Sequence, residues 1–140
     1  MRNNSYNYIV DLIKKYKEEI GNDLVINDFN IKEVQLRLPA RKHFWAARLI
    51  DAKIELHSLQ KQKKALKKQI VKRLQQEAPI KLTQQSAEIA AESSNEIGSL
   101  NDQIKEYEFV IEYLDKATSV LNQVGWDIKN IIEIQKLEQL

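Results

Sequence analysis

The stretch Pro39–Gln76, PARKHFWAARLIDAKIELHSLQKQKKALKKQIVKRLQQ, holds no glycine and no proline after its first residue. Its apolar positions Trp45, Leu49, Ala52, Leu56, Leu59, Leu66 and Ile70 alternate by fours and threes, with Lys63 at the seam position between Leu59 and Leu66. That alternation is a heptad pattern and predicts one long helix. Proline disfavours helix at the residue before it but suits a first turn, so Pro39 is the expected start. At ~1.5 Å per residue the stretch makes a rod of roughly 55 Å. A compact domain of this chain length is only about 30–35 Å across. Either part of the rod projects or other subunits cover it.

The rest of the chain supports an all-α class. Its 140 residues include three Gly, two Pro and no Cys. That is too few turn residues for a sandwich, a barrel or a Gly-rich nucleotide fold. Without Cys there are no disulfides, thiolate zinc sites or Cys nucleophile. No apolar run approaches the 18 residues of a membrane span. Met1–Val10 lacks the apolar region of a secretory signal, so a cytosolic protein is expected.

The net charge of +2 conceals a segregation. Residues 1–38 are neutral, residues 39–76 carry +9, and residues 77–140 carry −7. No acid lies between Glu55 and Glu77, and this gap holds Lys61, Lys63, Lys64, Lys67, Lys68, Lys72 and Arg73. Lys64, Lys67, Lys68 and Lys72 stand at spacings of three and four, which makes them neighbours on a helix surface. Seven basic residues within thirteen suit a polyanion held through its phosphates, with no reading of bases. Set against this are two plainer readings. One is a solvated helix face; the other is neutralisation by the acidic C-terminal half.

Outside the rod, Ile9, Leu12, Ile13, Tyr16 and Ile20 predict a first helix over Ser5–Ile20, with Gly21 as a stop. Leu24–Asp28 reads as extended or loop. Asn27 or Asp28 is positioned to cap a short second helix through Leu38. Pro79 ends the rod. Residues 78–94 read as a polar connector, with a weak helix over Ala87–Ala91. Ser93 and Glu96 match a capping box ahead of a second four-three seam: Ile97, Leu100, Ile104, Tyr107, Ile111, Leu114, Thr118 and Leu121. Val110, Ala117 and Val124 widen that face beyond what one antiparallel partner covers. Gly125 should end or kink this helix, and a final helix carries Trp126, Ile128, Ile131, Ile132, Ile134, Leu137 and Leu140.

No enzyme chemistry is expected. His43 and His57 lie fourteen residues apart, about 20 Å along a straight helix, and cannot share a metal. Asp51 and Glu55 sit one turn apart, but Arg48 three residues earlier makes an ion-pair ladder the better reading. There is no Ser-His-Asp arrangement, no P-loop and no HExxH. Trp45 on the seam and Trp126 after Gly125 read as packing residues rather than as platforms for stacked bases.

Three stretches in order carry a resemblance to a known family. The first is Asp11-Leu12 followed by Val25-Ile26-Asn27, leading without a gap into Lys42-x-x-Trp45. The second is Gln62-Lys63-Lys64-x-x-x-Lys68. The third is Gly125-Trp126-Asp127-Ile128-Lys129-Asn130-Ile131, after a long apolar helix. Together they cover most of the chain apart from the connector. They resemble the UvsY-type recombination mediators of tailed phages. The resemblance implies an all-helical protein that binds single-stranded DNA without sequence preference, weakens the grip of the single-strand-binding protein and loads a RecA-like recombinase. It also implies a homo-oligomeric ring of six or seven subunits, acting in the cytoplasm of the infected bacterial host. Lys68 falls on the Lys of the family's basic motif. The motif's Arg position falls on Ile70, so Lys67, Lys72 and Arg73 would substitute for it.

The expectation is therefore an all-α chain of long helices joined by short loops, assembling into a ring without any cofactor. Residues 1–77 would carry the DNA-binding helix, 78–94 the connector and 95–140 the assembly helices. The strand would contact Lys61, Lys63, Lys64, Lys67, Lys68, Lys72 and Arg73. Assembly would use Ile104, Tyr107, Ile111, Leu114, Leu121, Trp126, Ile128 and Ile131, so Ile111→Asp or Leu114→Asp should break the ring. The alternative is a non-enzymatic helical adaptor whose basic helix pairs with acidic helices. A membrane-surface role is disfavoured, because the patch adjoins no face rich in Phe, Trp and Leu.

Overall fold

The computed structural model describes residues 2–140, with side chains from residue 7 onward. The described residues form four helices: α1 (Arg2–Asp23), α2 (Ile31–Glu77), α3 (Gln84–Glu92) and α4 (Asn95–Glu138). They divide into two compact units, and both α2 and α4 contribute to each. The first unit comprises Met1–Ala52 with Val110–Leu140, the second Lys53–Phe109.

In the first unit, α1, the start of α2 and the end of α4 bury one apolar face each. Its core holds Ile9, Ile20, Val34, Leu38, Trp45, Leu49, Val110, Leu114, Leu121, Val124 and Ile128. Trp45 is fully buried, and its indole Nε1 donates to Asp23 Oδ2 at 2.9 Å. Arg41 Nε donates to both oxygens of the same carboxylate at 2.9 Å. A buried carboxylate is tolerable only with its lone pairs engaged, and here the indole and the guanidinium engage them. This clamp lies at the last residue of α1. Helix therefore continues past Gly21, the expected stop, to Asp23.

Pro39 does not begin a new helix. It lies inside the 47-residue α2, which is continuous from Ile31. An interior proline costs about 3 kcal/mol through a lost hydrogen bond and a clash with the preceding turn. Val34 and Leu38, one turn apart and both buried, offset this at about 1.5–3 kcal/mol each. Asn27 shapes the turn ahead of α2: its Oδ1 accepts from the backbone N–H groups of Phe29 and Asn30.

Gly125 likewise does not end the helix, since α4 runs unbroken for 44 residues through it. Buried Leu121, Val124 and Ile128 flank it and hold the helix through it. A Cβ added at Gly125 would meet Leu38 Cδ2 at 3.8 Å and Lys42 Nζ at 3.9 Å, ordinary contact distances. Gly125→Ala should therefore raise stability by about 0.4–1 kcal/mol, by restricting the unfolded chain. Thermal denaturation should show a higher Tm; a lower one would mean that the neighbouring side chains cannot accept the methyl group.

In the second unit, the end of α2, α3 and the start of α4 enclose Ile70, Val71, Ala87, Ala91 and Ile97, with Leu66, Leu74 and Leu82 packed against them. The small side chains of Ala87 and Ala91, both fully buried, let α3 lie close to its neighbours. Thr83 caps α3 by accepting from the Ser86 N–H at 3.1 Å. The expected capping serine of α4 is displaced by one residue. Ser94 Oγ accepts from the Ile97 N–H, while Ser93 ends α3 and its hydroxyl donates to the Ile89 carbonyl.

Candidate nucleic-acid interface

All seven residues of the basic cluster lie on the part of α2 that belongs to the second unit. The structure sorts them into two groups. At 100° per residue, Lys61, Lys64, Lys68 and Lys72 fall within a sector of about 80°. That sector faces away from buried Leu59 and Ile70 and from Leu66, which packs against the core of the second unit. These four lysines are exposed, and among the described residues they make no ion pair. They rise along the helix at about 4.5–6 Å intervals.

Lys63, Lys67 and Arg73 flank the buried side and are paired. Lys63 Nζ lies 3.2 Å from Glu92 Oε1, and Lys67 Nζ lies 3.2 Å from Glu92 Oε2. Asn101 Nδ2 also donates to Glu92 Oε1, at 3.3 Å. Arg73 pairs with Glu96 at 3.7 Å. The hydrogen bond from Lys67, then those from Lys63 and Asn101, hold the Glu92 carboxyl below its ordinary range. A lowered folded-state pKa means stabilisation that is complete above the unfolded-state value and is lost as pH falls through the lowered one. The contribution is small because the carboxylate is largely solvated. Glu92→Gln should therefore lose slightly less stability than the parent on acidification, read as the difference in Tm between neutral and acid pH. An identical loss would mean that the pairs contribute nothing.

Beside the free lysines, α2 and α3 form a groove of about 430 Å³ lined by Lys64, Lys67, Lys68, Val71, Lys72, Gln75, Gln84 and Glu88. Gln75 Nε2 donates to Gln84 Oε1 at 3.3 Å, and Gln84 Nε2 donates to Glu88 Oε1 at 3.0 Å. The groove thus offers ammonium groups and the Gln75 amide along its α2 wall, and the Gln84 amide and the Glu88 carboxylate along its α3 wall. Its α3 wall lies in the stretch that reads from sequence as a connector. The signals for it were Ala87 and Ala91 at a four-residue spacing and Thr83 ahead of them.

The aromatic residues near the cluster are not stacking platforms. Trp45 is core, in edge-to-face contact with Tyr16 at 5.7 Å and with Phe44 at 5.8 Å. Arg41 and Arg48 lie over the Phe44 ring at 4.3 and 4.0 Å. Arg48 pairs with Glu19 of α1 rather than with Asp51, which overturns the expected ladder. An arginine prefers this partner because the same guanidinium also stacks on Tyr16 and Phe44.

The eight expected assembly residues also divide. Leu114, Leu121 and Ile128 are at most 1% exposed within the single chain. They are core residues with almost no surface left to offer a partner. Ile104, Tyr107, Ile111 and Ile131 are half-buried. Trp126, read as a packing residue, is 62% exposed, and Lys129 Nζ lies 5.3 Å from its ring centroid.

The family model described as "Recombination, repair and ssDNA binding protein UvsY" matches residues 19–139. That span takes in all of the chain except residues 1–18 and Leu140. The chain belongs to the UvsY family. Its fold is also that of a UvsY protein of known structure. The crystal structure of the bacteriophage T4 recombination mediator protein UvsY superimposes with a TM-score of 0.75 at 15% identity, over 89% of this chain and 97% of that one. No curated protein sequence matches the chain. Among the described residues, no helix is long and apolar enough to cross a membrane. No group of three or more described His, Cys, Asp or Glu could hold a metal ion. The UvsY match spans the basic helix and the α3 groove alike.

Proposed function

We propose that this protein is a recombination mediator that binds single-stranded DNA without sequence preference. In this reading it displaces single-strand-binding protein and loads a RecA-like recombinase, in the cytoplasm of the infected host. The observation that supports it is the row of four unpaired lysines on one face of α2, in a chain whose family is described as ssDNA-binding. A lysine row can follow a phosphate backbone, and phosphate contacts carry no sequence information, so affinity without sequence preference is its natural output.

The working unit is a ring of six or seven copies, in which each subunit adds a modest cationic surface to a shared track. Multiplying the contact raises affinity without new chemistry, and so lets weak sites compete with a tight single-strand binder. Residues 95–140 carry the assembly surface through Ile104, Tyr107, Ile111, Trp126 and Ile131, residues 1–77 carry the DNA-binding helix, and 78–94 connect them. The acidic pairs to Lys63, Lys67 and Arg73 favour the adaptor reading in part, but they leave four of the seven cations unanswered.

Fluorescence anisotropy with labelled oligo-dT at a series of salt concentrations tests this. If each of six subunits neutralises about three phosphates, log affinity should fall with log salt at a slope of roughly −12 to −13. A slope equivalent to one or two contacts for the whole particle would overturn the shared track. No binding at low salt would leave the adaptor.

A further inference from the structure

We infer that Glu92 sets the working boundary of the DNA site: it occupies Lys63 and Lys67 in place of phosphate, and so confines the strand to the face carrying Lys61, Lys64, Lys68 and Lys72. The inference rests on the ssDNA-binding reading and adds to it an internal competitor.

One carboxylate holds two ammonium groups, at 3.2 Å on each of its two oxygens, with a third donor from Asn101. This is the hydrogen-bond pattern that two lysines would present to a phosphate. Glu92 is the last residue of α3. A negative charge there opposes the helix dipole, which favours cations at that end. Helix formation by itself therefore disfavours this residue at this position; the lysines across the contact are what favour it. Further along α2, Arg73 is met by Glu96 in the first turn of α4, where the dipole does favour an acid. The two acids thus engage cations at the margins of the basic surface and none on its outer face. Lys67 lines the groove between α2 and α3, so a strand lying against Lys64 and Lys68 passes beside it and meets a cation already engaged. The cluster of seven that the sequence presents therefore acts as four, with two more held in reserve by one side chain.

The test is a cycle of variants read by anisotropy on labelled oligo-dT. Glu92→Gln should raise affinity about three- to tenfold at low salt, and should steepen the log–log salt slope by about 0.7–1.4 per subunit as one or two more phosphates are engaged. Glu77→Gln removes the same charge from the same unit without freeing a lysine, and should leave the slope unchanged. In a Lys63→Ala/Lys67→Ala background the gain from Glu92→Gln should vanish. A gain that persists there, or that Glu77→Gln reproduces, would mean a general field effect and would overturn the inference. Lys64→Ala/Lys68→Ala separates the two levels of the argument. Loss of binding in that variant together with no gain in Glu92→Gln sinks the inference alone, whereas undiminished binding sinks the ssDNA site itself. Circular dichroism confirms that α3 survives the substitution. Should it not, Lys63→Ala/Lys67→Ala measured against Lys64→Ala/Lys68→Ala reads the same division without touching α3, and equal losses in the two would overturn it.

Discussion

Replacing Lys64, Lys68 and Lys72 together with alanine should weaken binding to oligo-dT on the order of 100-fold. Exposed charge pairs contribute up to about 1 kcal/mol each, and three such losses correspond to roughly two orders of magnitude in Kd. The effect on a ring would be larger still, because each subunit loses its share of the same track. The fold should be untouched. All three side chains are exposed, and their removal relieves like-charge repulsion at spacings of four, worth a few tenths of a kcal/mol per pair. Sedimentation should show an unchanged particle mass. If binding persists at full strength, the strand does not use this face. If the particle falls apart instead, the lysines are an assembly surface.

Leu114→Asp should unfold the first unit rather than break an oligomer into folded monomers. Leu114 is fully buried in the chain's own core, and truncation to alanine alone would cost about 2–5 kcal/mol. An aspartate there also buries a carboxylate with no partner, a penalty of several kcal/mol. Against a typical total stability of about 5–15 kcal/mol, the folded state should be lost or severely depleted. Circular dichroism should show a collapsed or absent thermal transition. A well-folded monomer would instead mean that Leu114 faces a partner and that the burial within one chain is not its main role. Trp126, exposed on α4, is the better probe of assembly, since most of its surface is open to solvent rather than packed in the core.

Helix class was legible in the sequence because heptad spacing and the scarcity of Gly and Pro act locally. The spacing Trp45-Leu49-Ala52 needs no knowledge of the partner to be read as one face, and all three residues are buried. The boundaries were less legible. Gly21, Pro39 and Gly125 each carry a local preference against continuing a helix, worth about 1–3 kcal/mol. Each lies inside a helix all the same, because neighbours such as Leu38 and Leu121 bury against other helices and outweigh it. The basic cluster could be read as seven cations in a row. Which of them are occupied could not, since Glu92 is 29 residues from Lys63 in sequence and meets it only through the packing of α3. The groove's far wall was hidden for the same reason, as Gln84 and Glu88 sit in a segment whose helix is held by two buried alanines.

By itself the sequence determined the helical class, the confinement of positive charge to one long element and the family resemblance. These depend on residue identity and spacing along one chain, which a sequence states directly. Only the tertiary structure decided that Leu114, Leu121 and Ile128 serve the chain's own core, that Trp126 is exposed, and that four lysines remain free where seven were counted. Those outcomes turn on which apolar face meets another and on which carboxylate comes within about 4 Å of which ammonium, distances over which charges interact strongly. Contacts between residues far apart in the chain set both.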